Sequence, residues 1–226
     1  MSVLSDKRIL EERKRGNVVV SPFNRAQLKT SSYDVTLGTY YYRMRKPEQG
    51  NTLCNIFSKE GVDAFWGTAH LEAQPAKKVL KDFKFGMKTG VREDDLVILL
   101  EPGEMILAHT QEFIGGVREH TTMMKARSSM GRWDITVCRC AGWGDVGYFN
   151  RWTMEIKNEN KWWWRFLKVG MPIAQIEFFE TGPILETDYS KTGKYQVSND
   201  LAEMQRTWTP NMMLPKLYKD HCKRRR

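Results

Sequence analysis

Cysteine is scarce: Cys54, Cys138, Cys140 and Cys222 are too few and too irregularly spaced for a disulfide framework in a chain of 226 residues. A reducing compartment, the cytoplasm, is the expectation. No apolar run approaches the roughly 20 residues needed to cross a bilayer, so no membrane span is expected. The opening Met1-Ser2-Val3-Leu4-Ser5-Asp6 runs straight into charge without the apolar stretch of a secretory signal, and the mature chain is expected to start there. Metal-ligand spacing is missing too. His70, His109, His120 and His221 fall in no ligand or triad pattern, and Cys138-x-Cys140 has no second ligand pair, so both cysteines are expected to be buried small residues. There is no internal repeat and no low-complexity tract.

What is present describes a folded, basic protein. With 41% hydrophobic and 12% aromatic residues the chain can bury a sizeable core, and residues 1–226 are expected to form one domain. The net charge of +9 suits polyanionic partners, whether nucleic acid or nucleoside triphosphates, and does not choose between them. Part of that excess lies in Lys223-Arg224-Arg225-Arg226, a basic C-terminal tail expected to be solvated.

Ser5 as N-cap, Asp6 in the first turn, Lys14 and Arg15 in the last and Gly16 as a stop predict a helix over 6–15. Strands are predicted at 18–20, 33–42, 96–100, 105–110, 135–140, 152–157 and 173–179, with Pro102-Gly103 turning between the third and fourth. Many short strands separated by turns imply a barrel or a sandwich. Residues 46–90, with prolines and glycines scattered among charges and aromatics, read as an elaborated loop region.

The richest segment runs from Ala126-Arg127-Ser128-Ser129-Met130-Gly131-Arg132 through Ala141-Gly142-Trp143-Gly144-Asp145-Val146-Gly147-Tyr148 to Thr153-Met154-Glu155-Ile156. Arg127 and the two serines offer donors for phosphate oxygens, while Gly131 permits close backbone approach. Strand alternation sets Trp152, Met154 and Ile156 on one face and Thr153, Glu155 and Lys157 on the other. Glu155 is then either a solvated carboxylate on an open sheet face or a carboxylate in a cleft, tuned to move a proton near neutral pH.

These segments, in this order, resemble the dCTP deaminases and their bifunctional deaminase-diphosphatase relatives, in the dUTPase-like superfamily. Leu4-Ser5-Asp6, Ser31 to Gly38, the Pro102-to-Thr110 segment as a central hairpin, Gly170 to Gln175 and Gly193 to Gln196 extend the likeness over most of the chain. The resemblance implies a mostly β fold, a distorted antiparallel β-barrel with a few short helices. It makes Glu155 the catalytic glutamate, Arg132 the arginine beside it, Ser128 the serine that positions the attacking water and Ala141 the donor of a backbone carbonyl. It assigns phosphate contacts to Arg127, Ser129 and Gln175, and sugar, base and phosphate surroundings to Asp145, Tyr148, Tyr189 and Lys194, with Trp152 and Thr153 also on the substrate. Magnesium bound through the triphosphate and a homotrimer with sites between subunits are implied in the same way. Ala126, Asn150 and Ser198 depart from the family pattern, which has glycine at the first two positions and often glutamine at the third; asparagine at 150 tolerates the left-handed backbone a glycine would adopt.

The implied reaction is zinc-independent hydrolysis of dCTP to dUTP and ammonia. Zinc nucleoside deaminases need a His or Cys beside a Glu and then Pro-Cys-x-x-Cys, which is missing here. The alternative enzyme also hydrolyses dUTP to dUMP and pyrophosphate, and Gly142-Trp143 resembles that type somewhat more. A pure dUTPase is disfavoured because no glycine-rich motif follows Tyr195. Trp162-Trp163-Trp164 on a basic chain could stack nucleic-acid bases, although hairpin or subunit packing is the expected role and nucleic acid is not the expected partner.

Overall fold

Ser5 caps the first helix as its chemistry favours, its Oγ accepting from the Arg8 amide at 3.4 Å. The helix spans Asp6–Lys14, and Gly16 ends it at φ 77°, in the left-handed region open to glycine. The computed structural model describes residues 2–47, 50, 52–83 and 90–220; the basic run 223–226, His221 and Cys222 lie outside the described residues.

Beyond this helix the fold is mostly strand. One curled antiparallel sheet runs in the order Trp143–Gly144, His120–Ala126, Pro172–Glu180, Tyr33–Arg43, Met105–Gly116, Phe149–Asn158, Ile135–Thr136. Ser2–Val3, Val18–Ser21 and Leu71–Glu72 add short edges. The inward faces close over a core that includes Tyr33, Val35, Ile106, Ala108, Met154, Ile156, Ile176 and Phe178, all fully buried. Each large side chain so buried contributes roughly 1.5–3 kcal/mol. The expected distorted antiparallel barrel is therefore what the chain forms. Among the described residues no helix is long and apolar enough to cross a membrane.

Several local expectations are corrected. The Pro102-Gly103 turn exists, with Gly103 at φ 75°, but it does not make a hairpin. Leu96–Leu100 pairs with Arg165–Lys168 and Gln74–Pro75 in a separate small sheet, while Met105–Gly116 joins the main one. The turn is held from outside, by Gly103 donating to the Asn160 carbonyl and Asn158 to that of Glu104. Strand 135–140 is confined to Ile135–Thr136, and Cys140 is exposed rather than buried. Asn150 occupies no left-handed turn; it sits buried in its strand, its amide donating to the Tyr195 carbonyl at 2.6 Å.

Two segments outside the barrel shape its mouth. Within the loop region, Ser58 caps the helix Lys59–Trp66, whose Val62 and Trp66 pack with Tyr42, Leu107 and Met213. The C-terminal part, with the helix Leu201–Thr207 capped by Asp200, seats Met204 fully buried beside Phe113 and Phe149. The tryptophans 162–164 remain exposed at 78%, 66% and 42%, with Trp164 meeting Phe83 edge-on at 5.5 Å.

Candidate active site

The strand Phe149–Asn158 alternates as its sequence dictates: Trp152, Met154 and Ile156 are buried in the core while Arg151, Thr153, Glu155 and Lys157 take the other face. That face is half-buried, not fully solvated. Glu155 lies opposite Leu107 and borders a cavity of about 480 Å³. Its Oε2 is buried and accepts no hydrogen bond. Burial pushes its carboxyl above the usual range, against the backbone amides of Glu155 and Arg139 and the charge of Arg139, which pull it down. An unpartnered carboxylate oxygen inside a cavity is poised to take a proton from something that enters.

Ala141, Asp145, Tyr148, Trp152, Thr153 and Tyr189 line the same cavity. Tyr148 is wedged between Trp152 and Tyr189, with ring centroids at 5.3 and 5.0 Å, and burial raises its phenol so that it stays neutral. Trp152 is fixed by its indole N–H donating to the Ile114 carbonyl at 2.7 Å. Gly147 lets this wall close: its φ is 93°, and a Cβ there would stand 2.8 Å from Asp188.

The remaining predicted residues do not line the cavity. Ser128 and Ser129 are exposed at the start of the short helix Ser128–Arg132, and Arg132 is exposed at its end. Arg132 is thus not the arginine beside Glu155 within this chain; Arg139 is the one whose charge reaches it. Arg127 pairs with buried Asp34 at 3.3 Å and donates to the Pro172 carbonyl at 3.2 Å. Gln175 stands opposite Asp34 and Lys125 on neighbouring strands, so Arg127 and Gln175 share one region. Gly131 has nothing of the chain within 4 Å of a Cβ position, so the close approach expected there is not made by the chain itself. Lys194 pairs with Asp220, and Ser198 accepts from the Asp200 amide, organising the helix start at 200. The structure therefore offers two groups: a cavity holding Glu155, and a separate donor set on Arg127, Ser128, Ser129 and Arg132.

Sequence reasoning missed Arg139 and Arg151, and also Trp66, Tyr195 and Met213, which complete the cavity from the loop region and the C-terminal part. Arg151 shares strand parity with Glu155 and was open to detection on that ground. Nothing in the spacing of the others signals their position. Among the described residues no group of three or more His, Cys, Asp or Glu side chains is gathered as a metal cluster would require.

The family model described as dCTP deaminase-like matches residues 3–181. A protein of Nanoarchaeum equitans named dCTP deaminase, dUMP-forming, is 29% identical over 194 residues, which are 85% of this chain and 91% of that one. A protein of the same name from Hydrogenobaculum is 30% identical over 176 residues, covering 78% and 81%. The crystal structure of 2'-deoxycytidine 5'-triphosphate deaminase from Agrobacterium tumefaciens superposes with a TM-score of 0.53 at 17% identity, over 81% of this chain and 49% of that one. This last likeness bears on the fold alone. With the family model spanning the barrel from its first strand to Thr181, the chain belongs to the dCTP deaminase-like family.

Proposed function

We propose that the chain deaminates dCTP at Glu155 and carries the product on to dUMP and pyrophosphate. The observation that carries the reading is the buried Oε2 of Glu155, which accepts no hydrogen bond, in a cavity walled by Ala141, Asp145, Tyr148 and Thr153. A water held by the Ser128 hydroxyl and the Ala141 carbonyl attacks C4 of cytosine, and Glu155 takes its proton. Glu155 then delivers that proton to the ring nitrogen, and the second proton of the attacking oxygen to the amine. The C4–N4 bond breaks, ammonia leaves and a C4 carbonyl forms. Arg132 stabilises the charge that develops in the tetrahedral intermediate. In the second step water cleaves dUTP to dUMP and pyrophosphate.

The names of the relatives, dUMP-forming throughout the most similar ones given above, move the expected end product from dUTP to dUMP. Because Ser128 and Arg132 do not line the cavity of their own chain, the reading completes each site with a second subunit, in a homotrimer. Magnesium, when bound, would neutralise triphosphate charge; its ligands would be phosphate oxygens, and among the described residues Asp145 is the one aspartate on the cavity wall. The reaction is proposed as zinc-independent. Incubation with dCTP and magnesium, with dUTP, dUMP and pyrophosphate resolved by chromatography, tests both steps: dUMP and pyrophosphate are expected, accumulation of dUTP alone returns the enzyme to simple deamination, and no turnover rejects the reading. Zinc-specific chelation should leave ammonia release intact, whereas withdrawing magnesium should weaken triphosphate binding; activity restored only by zinc would contradict the mechanism.

A further inference from the structure

Arg151 lies on the Glu155 face of the strand Phe149–Asn158, and its side chain borders the same cavity. Its guanidinium carbon lies over two rings, 4.7 Å from the centroid of Trp208 and 5.2 Å from that of Phe113. Contact with ring faces restrains a guanidinium while leaving its N–H groups for hydrogen bonding. Its Nε is buried without an acceptor, and Arg151 forms no ion pair among the described residues. Tyr40 and then Glu112 are the groups whose charge reaches it; Glu112 is already engaged by Gln27 and Thr36, and no hydrogen bond joins Arg151 to Tyr40 among the described residues. A side chain needed only to pack Trp208 against the barrel would be better served by methionine or leucine, since burying an unpaired cation is destabilising.

We propose that Arg151 is a substrate-binding residue that donates to an acceptor oxygen of the pyrimidine nucleotide, either a phosphate oxygen or the 2-carbonyl of the base. The inference rests on the function proposed above. Arg151 stands in sequence between Tyr148 and Thr153, both on the cavity wall, so a ligand that reaches Glu155 passes close to it. Because Trp208 comes from the C-terminal part, the same contact ties nucleotide binding to the segment that closes the cavity with Met213 and Pro215. The charge of Arg139, not of Arg151, reaches Glu155, so Arg151 is assigned to binding and not to proton transfer.

The test uses the full chain carrying Glu155→Gln, which is expected to bind substrate without turning it over, and measures dCTP and deoxycytidine affinity by calorimetry. Adding Arg151→Met, which preserves length and packing against the rings, should raise the dCTP Kd about ten- to hundred-fold, the range for a charge-assisted contact. Arg151→Lys should recover part of the loss, which a purely structural role would not produce. An equal loss for deoxycytidine assigns the contact to the 2-carbonyl; a loss confined to dCTP assigns it to phosphate. A Kd within twofold of the parent, in a variant that melts as the parent does, overturns the proposal. Should Arg151→Met not fold, Arg151→Gln takes its place, and collapse of both assigns Arg151 to the fold and overturns it as well. If the parent itself binds no dCTP, the functional reading fails first, and the inference falls with it.

Discussion

At the scale of single residues, the environment of Glu155 separates a surface carboxylate from a proton carrier. Glu155→Gln keeps the outline of the side chain and removes its basicity. General acid-base catalysis is typically worth 10²–10⁴-fold, so the rate of ammonia release should fall by at least about that factor while dCTP binding survives. Deamination within about threefold of wild type would leave Glu155 a mere strand residue. Since burial raises its carboxyl, and catalysis needs the ionised form, the acid limb of the kcat profile should lie above the ordinary carboxylate range. A profile flat down to pH 4 would contradict this. Arg127→Ala should act differently, raising the KM for dCTP with a smaller change in kcat, because a phosphate contact is made in ground and transition states alike. An unchanged KM with a collapsed kcat would move Arg127 into the chemistry.

At the scale of elements, the strand Tyr33–Arg43 shows how one glycine sets a wall. The register between this strand and Met105–Gly116 shifts between Leu37 and Tyr41. There Gly38 lies so close to His109 that a Cβ would stand 2.1 Å from its ring. The imidazole is held at both ends: Nε2 accepts from the Tyr40 amide at 3.2 Å, and Nδ1 donates to the Thr110 carbonyl at 2.8 Å. Gly38→Ala must move the ring and break at least one of these bonds, so a loss of about 2–4 kcal/mol in urea unfolding is expected. A loss below about 0.5 kcal/mol would show that the ring moves freely. The strands at 33–42, 96–100, 152–157 and 173–179 were legible because β-branched and aromatic residues alternate between turn residues. His120–Ala126 was not: its Thr121, Thr122 and His120 are polar yet buried, which inverts the pattern that marks a strand.

At the scale of the whole molecule, burial of His109 makes stability depend on pH. Desolvation lowers its pKa to about 4 from an ordinary value of 6.5. Folded and unfolded chains both hold it neutral above that ordinary value; as pH falls, the unfolded chain takes up the proton first, and stability is lost between about 6.5 and 4. The loss attributable to this residue is at most about 3 kcal/mol, and the raised carboxyl of Glu155 opposes it, since its burden is relieved on protonation. Urea unfolding from pH 7.5 to 4.5 should show the decline, and His109→Gln should flatten it; equal slopes would contradict the assignment. Assembly has its own test. If each site joins the Glu155 cavity of one subunit to Ser128 and Arg132 of another, co-refolding of Glu155→Gln with Arg132→Ala should restore part of the activity that each lacks alone. No recovery in mixed oligomers would place the whole site within one chain.

The sequence by itself determined the helix at its start, most of the barrel strands, the face on which Glu155 lies and the family. Each of these follows from local chemistry or from ordered motifs: capping, period-two alternation, and turn residues at fixed places. Only the tertiary structure decided that the Glu155 face is roofed, because the roof comes from Trp66 in one direction and from Tyr195 and Met213 in the other. Likewise, the strand Leu96–Leu100 joins a separate sheet because its partner, Arg165–Lys168, lies more than sixty residues further along, beyond the reach of any local pattern. Whether a carboxylate is solvated or held in a cavity depends on the segments that close over it, and those segments are distant in sequence.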